Sequence, residues 1–166
     1  MEYRQLGRTG LDVSAVGFGC GAVGGLLING DHKEMVRVVA RAVELGITYF
    51  DTARSYGDGI SETNLGLVLE ALKPAILVGT KVQLVAADLD DIEHAIVDSA
   101  EGSLKRLRRD HIDLFQLHNC IALQRQPDRA WMGIADLAPA VRAFQKLQQQ
   151  GKIRWWGING LGETEA

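Results

Sequence analysis

Cysteine is scarce in this chain of 166 residues: there are two, Cys20 and Cys120. They stand far apart and in no ligand pattern, so the sequence writes neither a disulfide framework nor a metal-binding cysteine motif. The two could pair, but we read them as reduced thiols of a cytoplasmic protein. Long apolar runs are lacking too. None approaches ~18 residues, so no membrane-spanning helix is expected, and MEYRQLGRTG at the start has no apolar signal-peptide core. Basic charge is not in excess: Lys plus Arg is 18, Asp plus Glu is 21, and the net charge is −3. No basic face for nucleic acid is expected from that balance. Lys105, Arg106, Arg108 and Arg109 read as the cationic last turn of a helix. Metal-ligand spacing is missing as well, since His111 and His118 lie about seven residues apart across a strand while His32 and His94 fall on helices. There is no low-complexity tract, short repeat or linker, so residues 1–166 read as one domain. What remains is 46% hydrophobic and 23% charged, enough to bury a core.

Turn-rich GRTG joins Tyr3–Leu6 to Leu11–Val13, which reads as a small hairpin ahead of the main fold. Ala15–Cys20 is a short strand running into a glycine-rich loop, GAVGGLLINGD. Asp31 and Glu34 form a capping box for a helix through Leu45, with Met35, Val38, Val39, Ala42 and Val43 inward. A strand over Thr48–Thr52 follows, then a helix of about Glu62–Leu72 stopped by Pro74. Ile76–Val82 is the third strand. Asp88 or Asp90 caps a helix to about Leu107, and Ile112–His118 is the fourth strand. A polar segment over Asn119–Gly133 leads to a helix from about Leu137 to Gln150, with Gly151 beyond its end. Ile153–Ile158 is the fifth strand. Strands alternating with helices mean an α/β fold with a parallel sheet and right-handed crossovers.

Three of these strands end in ionisable residues: Asp51, Lys81 and His118. Tyr56 lies in the loop after the second, framed by Ser55, Gly57, Asp58 and Gly59. Parallel strands bring all four to one rim, where α/β folds place their chemistry. Each has a plain structural reading. Asp51 could cap a helix, Tyr56 could pack over its loop, Lys81 could be a surface lysine, and His118 could be bonded to backbone. Together they suit proton transfer to a carbonyl oxygen. A free phenol ionises near pH ~10. A neighbouring ammonium stabilises the phenolate, and a carboxylate holds the ammonium. His118 would orient the carbonyl. The electrons must come from elsewhere, and a nicotinamide is the natural hydride donor.

The stretches YRQLGRTGLDVSAVGFG, FDTARSYGDGISETNLG, GTK, SLKRLRRDHIDLFQLHN and GKIRWWGING, in that order, resemble the aldo-keto reductases from end to end. The resemblance implies a (β/α)8 TIM barrel with the hairpin closing its bottom. For this chain that means the hairpin plus about five of the eight strands. It implies NADPH-dependent reduction of a small aldehyde or ketone (NADH being possible), and it places the family's catalytic residues on Asp51, Tyr56, Lys81 and His118. Gly19, Cys20 and Gly21 let the backbone approach the cofactor, alongside Asp51 and Asn159.

Two departures stand out. The family's last three strands, with their glutamine, stacking aromatic and basic 2′-phosphate loop, have no counterpart. Where many relatives read Gly-Val-Ser-Asn, this chain reads Gly157-Ile158-Asn159-Gly160. Glu163–Ala166 reads as the first turn of a further helix. The chain is therefore expected to be part of a longer reductase, or a fragment needing a missing half or a self-association partner. A reductase-like binding subunit without turnover is the alternative function. Gly19–Gly24 also matches the G-x-G-x-x-G dinucleotide pattern. No helix is expected before Asp31, whereas such a fingerprint opens directly into one. Trp131, in the loop after the fourth strand, is either a pocket wall or a loop anchor. Of Trp155 and Trp156, one should face the barrel and one the helices.

Overall fold

The structure, a computed structural model, describes residues 1–159. The order is β1 (Tyr3–Gln5), β2 (Asp12–Ser14), β3 (Phe18–Gly19), α1 (Leu26–Asn29), α2 (His32–Glu44), β4 (Tyr49–Asp51), α3 (Ile60–Leu72) and β5 (Leu77–Val82). Then come α4 (Ile92–Leu107), β6 (Ile112–Leu117), β7 (Ile121–Ala122), β8 (Met132–Gly133), α5 (Leu137–Gln149) and β9 (Ile153–Ile158). Five strands form one parallel sheet in the order β3-β4-β5-β6-β9. Each strand lies beside its predecessor in the winding, which is the path of a β/α barrel. A dinucleotide fold reverses its strand order at a switch point, and this sheet does not.

Several boundaries differ from the sequence reading. Ala15–Cys20 yields only the two-residue strand β3, Phe18–Gly19, because Gly17, Gly19 and Gly21 weaken an extended segment. The glycine loop after it contains a one-turn helix, α1, entered through Gly25 at φ 59°. α4 is capped by Asp91, whose side chain accepts from the His94 N–H, and not by Asp88 or Asp90. Residues 86–90 wind as a 3-10 turn, which delays the helix, and Asp88 bonds back to the Val85 N–H. Asn119–Gly133 holds a short parallel pair, β7 with β8.

One face of the sheet packs on the helices. Phe50, Val78, Val82, Phe115 and Leu117 bury there against Met35 and Val39 of α2, Leu65 and Val68 of α3, Ile96 of α4, and Phe144 and Leu147 of α5. Each such burial contributes roughly 2 kcal/mol. Trp156 stacks on Phe144 at 5.5 Å on this side, and alternation turns Trp155 to the other face. That other face carries Tyr49, Asp51, Gly79 and Lys81, and its strand ends form the rim. The hairpin sits at the opposite end of the strands. Ser14 and Thr48 exchange backbone-to-hydroxyl bonds of 2.9 and 3.0 Å just before β4.

Helices α3 and α4 meet at Gly66. A Cβ there would lie 2.3 Å from the carbonyl oxygen of Arg106. An alanine gains about 1 kcal/mol of helix propensity, but backbone cannot yield as a side-chain tip does, and overpacking costs about 1–3 kcal/mol. Gly66→Ala should therefore lower the urea midpoint with an unchanged slope. A raised midpoint would show that the helices are free to separate.

Candidate active site

Lys81 is the centre of the rim. It projects from β5 and is 5% exposed. Its ammonium has three donors, and each finds an acceptor: Asp51 Oδ2 at 2.6 Å, the Thr52 carbonyl at 2.8 Å and Tyr56 Oη at 3.3 Å. The phenol therefore receives a hydrogen bond from the lysine, which leaves its own O–H free to donate. Asp51 is placed by the ladder, paired with Gly79 of β5, so that Lys81 follows two residues on along the same face. The second oxygen of Asp51 accepts from Tyr49 Oη at 3.4 Å.

Tyr56 is held by its loop. Its N–H donates to the Ala53 carbonyl at 3.0 Å, and its carbonyl accepts from the Ser61 N–H at 3.2 Å. Gly57, Asp58 and Gly59 are all left-handed, at φ 65°, 50° and 88°, which turns the chain from the tyrosine into α3. Beneath the loop the buried Thr52 hydroxyl meets Ser61 Oγ at 2.9 Å, and Ser61 Oγ donates to the Cys20 carbonyl at 2.8 Å.

His118 is the first residue after β6, anchored by its N–H to the Val82 carbonyl at 2.8 Å. Its ring stands edge-on to the Tyr56 ring, centroids 6.2 Å apart, with Nδ1 3.5 Å from Ser55 Oγ. Burial, and then the charge of Lys81, hold the imidazole below the usual histidine range. It is thus neutral at neutral pH and keeps one N–H to donate. The four sequence-predicted groups form one cluster.

The remaining predicted residues are placed differently. Gly19, Gly21, Ala22 and Val23 wall a concavity of about 410 Å3 with Asp51 and Tyr56. Cys20 turns inward instead, 1% exposed, and burial pushes its thiol up to about 12. Its N–H is already bonded to the Asp51 carbonyl at 2.8 Å. Asn159 follows β9, half-buried, with its N–H on the Leu117 carbonyl at 2.8 Å; Gly160 and Glu163–Ala166 lie outside the described residues. Trp131 is half-buried, bridged to Gln126 and covered by the Arg129 guanidinium at 5.2 Å. A larger hollow of about 560 Å3, between the loop after β5 and α4, contains none of the four.

Several supporting residues are not singled out by the sequence. Asn119 clamps Leu84 and Ala130 with three bonds of 2.8–2.9 Å, joining the loops after β5 and β6. Glu62 is fully buried, accepting from Thr80 Oγ1 and from Arg106 Nε at 2.6 Å. Arg106 is therefore an internal partner as well as a cation in the last turn of α4. Among the described residues no group of three His, Cys, Asp or Glu could hold a metal, and no helix is long and apolar enough to cross a membrane.

A sequence model described as the aldo/keto reductase family matches residues 15–164. The chain belongs to the aldo/keto reductase family. It is 36% identical over 166 residues to an L-galactose dehydrogenase of Arabidopsis thaliana, covering 97% of this chain and 49% of that protein. The holo form of an aldo-keto reductase from Bacillus halodurans superposes with a TM-score of 0.74 at 31% identity, over 96% of this chain and 50% of the other. An aldo-keto reductase of Klebsiella pneumoniae in complex with NADPH matches at a TM-score of 0.67 and 29% identity, over 93% and 48% of the two chains. The chain spans about half the length of the curated relatives it matches. In aldo/keto reductase terms, this is a partial barrel of five strands with the rim residues gathered at one end.

The histidine gives a pH test. Its depressed basicity means a stabilising contribution present above the unfolded value of about 6.5 and lost as pH falls through the folded value. Histidine NMR should find the His118 midpoint below 6.5. Lys81→Met should raise it, since the repelling cation is gone. A midpoint that ignores Lys81→Met would separate the two side chains electrostatically.

Proposed function

We propose that this chain carries the proton-transfer groups of a nicotinamide-dependent oxidoreductase that reduces an aldehyde or ketone to an alcohol, or runs the reverse. The observation that supports it is the ammonium of Lys81, shared between Asp51 at 2.6 Å and Tyr56 at 3.3 Å. Tyr56 accepts from Lys81 and so presents its O–H proton to a carbonyl oxygen. His118, kept neutral, donates its N–H to the same oxygen and fixes its direction. After the proton leaves, the phenolate lies against the ammonium, while Asp51 balances the lysine's charge. Thr52 and Ala53 are buried beneath the site, and the loop that carries Tyr56 packs over α1 where Gly57 meets Ile28.

The residues fit a nicotinamide cofactor. Gly19 and Gly21 give the concavity a wall without side chains; a Cβ at Gly19 would meet nothing within 4 Å, so a flat ring can approach the backbone beside Asp51 and Tyr56. Backbone at Gly19 and Gly21, the carboxylate of Asp51 and the amide of Asn159 would hold it. When bound, it supplies the hydride. NADPH is the form we assign, on the strength of the related Klebsiella complex.

Tyr56→Phe keeps the ring but removes the proton donor, and with it one of the three acceptors of the Lys81 ammonium. Turnover of a reactive aldehyde, followed as loss of NADPH absorbance, should fall by about 10^2–10^4 while cofactor binding persists. A variant that keeps most of its turnover would assign the acid elsewhere. A panel of aldehydes, ketones, sugars and steroids in the same assay would name the substrate class.

A further inference from the structure

We propose that Tyr49 is a positioning residue for this site: its phenol fixes the carboxylate of Asp51, and through it the ammonium of Lys81, by lying in a slot left open by two glycines. The hydroxyl donates to Asp51 Oδ1 at 3.4 Å, on the oxygen that Lys81 does not use. The slot is specific to the ring. A Cβ at Gly79 would lie 2.2 Å from Tyr49 Oη, and one at Gly17 would lie 3.2 Å from Tyr49 Cδ1. Gly79 is also the ladder partner of Asp51, so the strand that carries Lys81 passes under the ring at the very row where the carboxylate stands.

Physical chemistry gives this arrangement its direction. A carboxylate with one oxygen on a cation can still rotate about its last bond and present either oxygen. A donor on the second oxygen removes that freedom. Burial, and then the charge of Asp51, hold the Tyr49 phenol well above the usual tyrosine range, so it remains a donor and takes no part in proton exchange. Two tyrosines with opposite duties thus share one lysine–aspartate pair. Tyr49 keeps its proton and orients; Tyr56, on the far side of Lys81, is the one placed to give its proton up.

The kinetic part of this inference rests on the reductase reading, and the structural part does not. Two variants and two readouts separate them. Tyr49→Phe removes one oxygen and keeps the ring in its slot. Gly79→Ala keeps the phenol but pushes it off the carboxylate. The first readout is carbonyl turnover with NADPH. The second is the exchange of the Lys81 ammonium protons with water, read by lysine 15N NMR on the chain without cofactor. Tyr49→Phe should speed ammonium exchange and lower kcat by about three- to tenfold, the effect of one ordinary hydrogen bond, as suits the 3.4 Å contact, with KM for the carbonyl unchanged. Gly79→Ala should reproduce both effects, and the double variant should be no worse than either single one. Faster ammonium exchange in a chain without turnover supports the positioning role while contradicting the reductase reading. Unchanged exchange and unchanged kcat in Tyr49→Phe overturn the proposal, whether or not Gly79→Ala folds.

Discussion

The ammonium of Lys81 is the group on which the rest of this structure depends. A cation 5% exposed is costly unless its protons are all accepted. Asp51, the Thr52 carbonyl and Tyr56 accept one each. Those acceptors come from one strand end and the loop after it, while the lysine comes from the next strand. The pairing of β4 with β5 must therefore be in this register. A slip of one residue would turn Lys81 toward the helices, into apolar packing with no acceptor. The same constraint explains the loop over residues 52–59. It has to leave β4, pass a carbonyl to the lysine, return a phenol to the same nitrogen, and enter α3. Three consecutive left-handed residues make that possible.

Around this centre, buried polar groups are paired off in separate clusters. Glu62, Thr80 and Arg106 tie α3, β5 and α4 together behind Lys81. At the other end of the sheet Asp113 accepts from the Val78 N–H, Arg109 and Arg154. Arg125 grips Asp136 and so closes the long segment after β6. Each cluster joins elements that the hydrophobic layer already brings close. Their contribution is geometric more than energetic, because desolvation offsets much of the attraction in a buried pair. What they fix is where the strand ends stand.

The sheet and its helices are legible in the sequence because periodicity reports burial, and the four rim residues are legible because strand ends carry chemistry in α/β folds. β9 and α3 fall close to where their apolar patterns put them. The features that escape the sequence share a cause. Tyr49 reads as a β-former, and nothing in its neighbours announces that Gly79 leaves room for its ring. Thr52 with Ser61, Glu62 with Arg106 and Asn119 with Leu84 are partners separated along the chain. A polar pair of that kind leaves no period in the sequence. The cap at Asp91 is hidden for a local reason: three nearby aspartates can each cap, and only the 3-10 turn over residues 86–90 decides among them.

If Lys81 unites Asp51 and Tyr56 into one device, their losses cannot be independent. The measurement is carbonyl turnover with NADPH for Asp51→Asn, Lys81→Met and Tyr56→Phe, singly and in every combination. The expected result is a triple variant no slower than the slowest single one, because removing one member already disables the unit. Losses that multiply across the three positions would mean separate contributions, and would contradict a central role for the lysine.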